Sequence, residues 1–282
     1  MIGARRRTAI ARQQLRGRHA LSICFHTDCA KGMQHAAKTV RVTAGPRGGG
    51  RGERRGGGGR GRGRGGGGTK TKTRRPRTFS FSPAMDEPCF IKPPPEGAAL
   101  PRLVCYDLDD TVWFPELYMM CGAPWSKDEL GRVTDTCGTE LRVYPAASES
   151  IRIILDPDGP FQSSGVGAEV AFASRTNRGK WAMEALDLLR LDEGTSLREA
   201  VGDLVEIFPG TKRKHFEALR NKSGVPYSQM LFFDNERINV EEVGQLGVTS
   251  IYCPGGMSQG AWEKGLETYA RNARQRSAAA RR

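Results

Sequence analysis

Asp107, Asp109 and Asp110 fall within four positions, directly after the apolar run Leu103-Val104-Cys105-Tyr106, and Thr111 follows them. Carboxylates crowded at the end of a buried strand repel one another and are driven toward protonation unless a cation or hydrogen-bond donors compensate. The spacing Asp107-x-Asp109-x-Thr111 suits one chemistry in particular. Its first carboxylate can attack a phosphoryl group and ligate a metal, and its second, two residues on, can move a proton. Three further polar sets follow later apolar runs: Ser174-Arg175, Lys212, and Asp234-Asn235. Lys212 is the most telling of these. A cation in the first turn of a helix opposes the macrodipole, so an anion, Asp234 or a phosphate, should stand beside it. Arg213 and Lys214 read as solvated charges, and His215 as a helix residue without a catalytic part. Glu236 reads equally as a group behind the site or as a helix N-terminal acid.

The elements that must position these groups alternate between strand and helix from Leu100 onward. Apolar runs at 103–106, 170–173, 204–208, 230–233 and 248–252 read as strands. Between them, Pro145 opens a helix with Ala147, Ile151, Ile154 and Leu155 on one face, and Asp156 and Asp158 read as formers of the turn that ends it. A second helix shows Trp181, Ala185, Leu188 and Leu189, with Thr176 or Asn177 as its cap. A third follows Lys212 and stops at Gly224, a fourth contains Val240 and Val243, and a last one carries Trp262, Leu266, Tyr269 and Ala273 on one face. The stretch from Trp113 to Val143 lacks helical periodicity, and 132–136 and 140–144 can pair there as a hairpin. Alternation of this kind predicts a parallel sheet covered by helices on both faces. Ligands of such sheets bind outside the carboxyl ends of the strands, so the polar sets should converge there.

Charge divides the chain. Residues 1–100 hold 22 Lys and Arg against 5 Asp and Glu, a net of +17. The remainder holds 44 − 22 = 22 basic and 31 − 5 = 26 acidic residues, a net of −4, which argues against nucleic acid as the substrate of the folded part. Gly45 to Gly68 comprises 15 Gly, 7 Arg, one Pro and one Glu, too little apolar surface to offset the entropy of ordering. Residues 1–98 are therefore expected to be a disordered basic leader. The tract at 45–68 lacks the Phe or Tyr that would stack on bases and reads as a solvated linker; residues 45–77 are the one stretch where nucleic acid could touch the chain, by phosphate contacts. Residues 1–44 have the composition of an organellar transit peptide; without that role the chain is expected to be cytoplasmic, and with it chloroplast or mitochondrial. No apolar run reaches the ~20 residues that span a bilayer. The cysteines at 24, 29, 89, 105, 121, 137 and 253 form no C-x-x-C pair and read as reduced thiols.

The order Asp-x-Asp-x-Thr, Ser, Lys, acidic pair resembles the phosphatases of the haloacid dehalogenase superfamily. Within it, YDLDDTVW, FASRT, IFPGTKRKHF and SQMLFFDNERIN, with GVTSIYC and GLETYA, resemble the magnesium-dependent phosphatase family over residues 100–275. The resemblance implies an α/β fold, a haloacid-dehalogenase-like Rossmannoid three-layer sandwich with a central parallel sheet. Its phosphatase domain would span 99–276, with a minimal cap, a short hairpin insertion at about 114–144, and a basic tail at 277–282. It implies Asp107 as nucleophile, forming an aspartyl-phosphate, and Asp109 as general acid and base. Mg²⁺ would be held by Asp107, the Asp109 backbone carbonyl, Asp234 and Asn235. Leu108, Thr111, Ser174, Arg175 and Lys212 would contact the phosphoryl group or substrate. Implied substrates are phosphotyrosine-type proteins and sugar phosphates, including those of glycated amines, acted on by a monomer. Where the family carries Asp-Asn's counterpart Asp-Asp, this chain has Asp234-Asn235, so the site loses one negative charge and weaker metal affinity is expected. The alternative function is an RNA-associated Arg-Gly protein whose folded half is catalytically silent.

Overall fold

The computed structural model describes residues 91–163 and 165–282, together with Met85 and Cys89. Residues 1–84, which hold most of the basic leader, the Arg-Gly tract and the stretch 45–77 considered for nucleic-acid contact, lie outside the described residues.

Five strands form one parallel sheet: β1 (Leu103–Tyr106), β6 (Glu169–Ser174), β7 (Val205–Ile207), β8 (Met230–Asp234) and β9 (Thr249–Tyr252), in the order β7-β6-β1-β8-β9. β1 is central, with Val104 opposite both Val170 and Leu231. Strands buried on both faces must read as continuous apolar runs, and LVCY and MLFF do. Because successive side chains alternate faces, β1 divides between two cores. Val104 and Tyr106 join Phe233, Ile251 and Trp262 on one side, and Leu103 and Cys105 join Phe216, Phe232 and Val243 on the other.

The helices that cover those faces follow from their apolar spacing. Helices α1 (Pro145–Leu155), α3 (Gly179–Leu188), α4 (Leu197–Val201) and α7 (Gln259–Ala280) bury residues in the first core; α5 (Lys212–Ser223) and α6 (Arg237–Gly244) bury residues in the second. The buried Tyr106 hydroxyl donates to Ser150 Oγ at 2.9 Å, so a tyrosine can sit in this core without an unpaired group. Met85 and Ile91, ahead of residue 99, also bury their side chains in the first core. Among the described residues no helix is long and apolar enough to cross a membrane.

One reading of the sequence needs an addition and two need correction. The turn expected after α1 does form, with Asp158 N donating to Asp156 Oδ1, but a short helix α2 (Pro160–Ser163) follows and anchors Phe161 against Trp262. Neither Thr176 nor Asn177 caps α3, whose N-cap is Arg178; Thr176 Oγ1 instead accepts from Arg178 N. Cys121 and Cys137 are not free thiols but a disulfide, with Cα atoms 5.9 Å apart.

The disulfide belongs to the insertion between β1 and α1. There β2 (Trp113–Phe114), β3 (Ser126–Lys127), β4 (Val133–Thr134) and β5 (Glu140–Val143) make a small antiparallel sheet in the order β2-β5-β4-β3. The expected hairpin is its β4–β5 pair, with Val133 opposite Leu141. Buried Asp135 accepts the amides of Cys121, Cys137 and Thr139 at 2.7, 2.9 and 2.8 Å. One carboxylate thus gathers both cysteine backbones, a meeting that spacing in sequence does not announce.

Two glycines of α7 give opposite expectations. A Cβ at Gly260 would meet nothing within 4 Å, whereas one at Gly265 would lie 2.6 Å from Phe233 Cζ. Gly260→Ala should stabilise by up to about 1 kcal/mol, the helix-propensity gain. Gly265→Ala collects the same gain but overpacks the core at a cost of about 1–3 kcal/mol, so it should be neutral to destabilising. Urea denaturation of both variants measures the difference.

Candidate active site

β1 ends at Tyr106, and Asp107 N continues its ladder by donating to Phe233 O at 2.9 Å. The chain then turns sharply. Leu108 O accepts from the amides of Thr111, Val112 and Trp113, and Asp110 takes φ = 50°, a left-handed conformation that Asp tolerates better than most residues. This turn carries Asp107 and Asp109 past the strand end while the Leu108 side chain is buried in the core. Two contacts support the loop from beneath. Tyr144 Oη donates to Asp110 Oδ1 at 2.7 Å, and Met257 N donates to Thr111 O at 3.0 Å. Gly256 lies against the Tyr144 ring so closely that a Cβ there would overlap it.

Lys212, the first residue of α5, is fully buried and reaches back over the strand ends. Its Nζ donates to Asp107 Oδ1 at 2.5 Å and to Ala173 O at 2.5 Å, and lies 3.1 Å from Asp234 Oδ2. Acids from β1 and β8 and a strand-end carbonyl of β6 therefore share one ammonium. Burial pulls the Lys212 pKa down, but Asp107 and Asp234 more than offset it and leave it above the ordinary lysine value. Burial pushes the Asp107 carboxyl up, and Lys212 opposes that while Asp234 and Asp109 reinforce it. The anion expected beside Lys212 is thus two carboxylates, and its backbone amide has a third partner in Glu242 Oε2 at 3.1 Å.

Asp109 sits beside this pair under different constraints. Its Oδ1 accepts from Trp113 Nε1 at 2.8 Å and from Leu117 N at 3.0 Å. Burial raises its pKa against those two hydrogen bonds. A carboxyl held in one orientation and shifted toward protonation is suited to giving up a proton.

The fourth polar set is fastened to the first. Thr111 is buried, and its Oγ1 accepts from Asn235 N at 3.0 Å while donating to Asn235 Oδ1 at 3.4 Å. Thr111 thereby braces two loops, and its side chain also hydrogen-bonds Cys253 just past β9. Ser174, at the end of β6, is buried, with Oγ accepting from Thr176 N at 3.3 Å. Arg175 Nη1 donates to Asn239 Oδ1 at 3.0 Å and pairs with Glu236 at 3.4 Å.

Asn239 is a residue that sequence reasoning missed. Buried on α6, it donates through Nδ2 to both oxygens of Asp234, at 3.1 and 3.0 Å. Glu236 N adds a bond to Asp234 Oδ1 at 2.7 Å. A polar residue among the apolar positions of a helix, five after a strand-end acid, is the only trace it leaves in the sequence.

The described residues bring together Asp107, Asp109, Ser174, Lys212, Asp234 and Asn235 at the carboxyl ends of three neighbouring strands. Among them, no three His, Cys, Asp or Glu side chains converge as a metal cage. The donors on offer are oxygens: two carboxylates that share a single lysine, an amide and backbone carbonyls. Such a set fits a small hard cation that keeps several of its waters.

This central parallel sheet, with its acids and lysine at the strand ends and a small inserted sheet after β1, defines a haloacid-dehalogenase-like hydrolase. Residues 99–272 match the acid phosphatase family, and the chain belongs to it. It is 38% identical over 174 residues to human magnesium-dependent phosphatase 1, covering 62% of this chain and 90% of that one. It is 33% identical over 153 residues to an HAD-like hydrolase superfamily protein of Schizosaccharomyces pombe, covering 53% of this chain and 83% of that one. A haloacid dehalogenase-like hydrolase from Xanthomonas campestris superposes with a TM-score of 0.42 at 14% identity, over 63% of this chain and 100% of that one.

Removing the shared cation tests the electrostatics. A carboxyl whose pKa is raised by folding contributes stability that is complete below its unfolded value and lost as pH climbs through the folded one. Lys212→Met removes the charge that opposes the rise at Asp107, so the loss deepens toward neutral pH. The variant should be about 3–5 kcal/mol less stable than the parent at pH 7.5 and recover much of that at pH 5, in denaturation measured without divalent ions.

Proposed function

We propose that the chain is a Mg²⁺-dependent phosphomonoesterase working through an aspartyl-phosphate. The observation that carries this reading is the buried Lys212 ammonium shared by Asp107 and Asp234, with Asp109 held beside it. The contacts to Asp107 all fall on Oδ1, so Oδ2 is the oxygen that attacks phosphorus. As the new O–P bond forms, the bond to the ester oxygen breaks, and Asp109 donates a proton to that leaving oxygen. Asp109, now a carboxylate, takes a proton from the water that cleaves the aspartyl-phosphate. Lys212 and Ser174 hold the non-bridging phosphoryl oxygens and keep phosphorus in line.

Asp107, the Asp109 backbone carbonyl, Asp234 and Asn235 would hold Mg²⁺, which when bound supplies positive charge to the phosphoryl oxygens. The human relative is named for magnesium dependence, and the oxygen donor set here agrees with it. Phosphotyrosine-type side chains and sugar phosphates, including those on glycated amines, are the substrates proposed. The small cap supports this choice, because it leaves room for a phosphate carried on a protein. Tyr118, 66% exposed, follows Leu117, whose amide bonds Asp109.

Two experiments test the assignment. Asp107→Asn should abolish hydrolysis of an aryl phosphate, and EDTA should abolish it in the parent; full rate in either case would sink the proposal. Asn235→Asp restores a negative charge to the donor set, so the Mg²⁺ concentration for half-maximal rate should fall, about tenfold for a charge facing the cation.

A further inference from the structure

His215 follows Lys212 by one turn of α5 and is fully buried. Its ring lies parallel to that of Phe208, with centroids 3.9 Å apart. Nε2 is 2.9 Å from both Ser174 O and Phe208 O, and Nδ1 is 2.9 Å from Thr211 O. All three partners are carbonyl oxygens, which can only accept. They belong to the last residue of β6, the residue just past β7, and the N-cap of α5. A histidine serving only to fill space would not need acceptors from three segments.

Those segments are the ones that carry the phosphoryl-binding groups. Lys212 Nζ grips Ala173 O, and His215 grips the very next carbonyl, Ser174 O. Phe208 N donates to the same Ser174 oxygen at 3.1 Å. The imidazole thus closes a ring of contacts that runs from β6 through the end of β7 to the first turn of α5 and back through Lys212.

We propose that His215 is a positioning residue: the proton on its Nε2, shared between the Ser174 and Phe208 carbonyls, sets where the Ser174 hydroxyl and the Lys212 ammonium stand relative to Asp107. This rests on the phosphatase reading above and adds to it a residue that never touches substrate. A displacement of about 1 Å in groups that hold a reacting phosphoryl is enough to cost on the order of a hundredfold in rate.

Glutamine places its amide nitrogen near the position of Nε2, and asparagine near that of Nδ1, so the two variants separate the contacts. His215→Gln should keep kcat/KM within about threefold of the parent, whereas His215→Asn should lose about tenfold or more. The Asn variant should also bind orthovanadate correspondingly more weakly, while thermal melts show similar losses for both. Parental kcat/KM in the Asn variant would overturn the proposal, as would equal falls in the two. Should neither variant fold, the parent chain decides. Its His215 Nε2 proton, followed by ¹⁵N-edited NMR, should shift when orthovanadate binds, and an unmoved signal would overturn the proposal. A parent inactive on every phosphomonoester with Mg²⁺ would strike at the phosphatase reading instead, and the vanadate-induced shift, which needs no turnover, would still judge His215.

Discussion

A lysine ammonium held between two carboxylates in a buried place is what the rest of this architecture serves. Removing such charges from water is costly, and the arrangement survives only if geometry and extra hydrogen bonds repay it. Neighbouring strands lie about 4.8 Å apart, so one side chain can meet the ends of three of them only from directly above the middle. The sheet order meets that requirement. β1, with Asp107, lies between β6, with Ala173, and β8, with Asp234, and α5 starts where Lys212 can span all three.

Around that centre each acid is fastened separately. Asp234 is held by Asn239 and the Glu236 amide, and Asp109 by the Trp113 indole and the Leu117 amide. Asn235 is tied to Thr111. The fasteners come from different parts of the chain: α6 for Asp234, the start of the inserted sheet for Asp109, the first loop for Asn235. Groups fixed in advance in this way need no reorganisation as charge develops, which is the largest contribution a protein makes to phosphoryl chemistry.

Much of this could be read from the sequence, and the exceptions have a common cause. Strand ends rich in acids, and a lysine in a helix's first turn that demanded an anion, are local signals. They placed Asp107, Lys212 and Asp234 together before any coordinates. The parallel sheet was legible for the same reason, since LVCY and MLFF are apolar without interruption. Asn239, His215 and the Cys121–Cys137 pair were not. Asn239 ties Asp234 to Arg175, 64 positions away, and His215 bonds Ser174, 41 positions away. The cysteines meet because Asp135 collects their amides. Each depends on contacts that exist only once the chain has folded, and their residue types are equally at home on a surface or in a core. Short helices were lost for a related reason: α2 is held by Phe161 alone and α4 by Leu197 and Val201, too brief to show a period.

The loop bearing the acids rests on a floor contributed in part by the other end of the domain. Tyr144 reaches Asp110, the segment after β9 lies beneath Tyr144 at Gly256, and Met257 bonds Thr111. A chimera joining the first four sheet strands of this chain to a foreign carboxyl-terminal third would therefore inherit every acid and the lysine, yet lack the footing they stand on. The crossover would have to fall after Met257 for the transplanted half to arrive with its nucleophile still aimed.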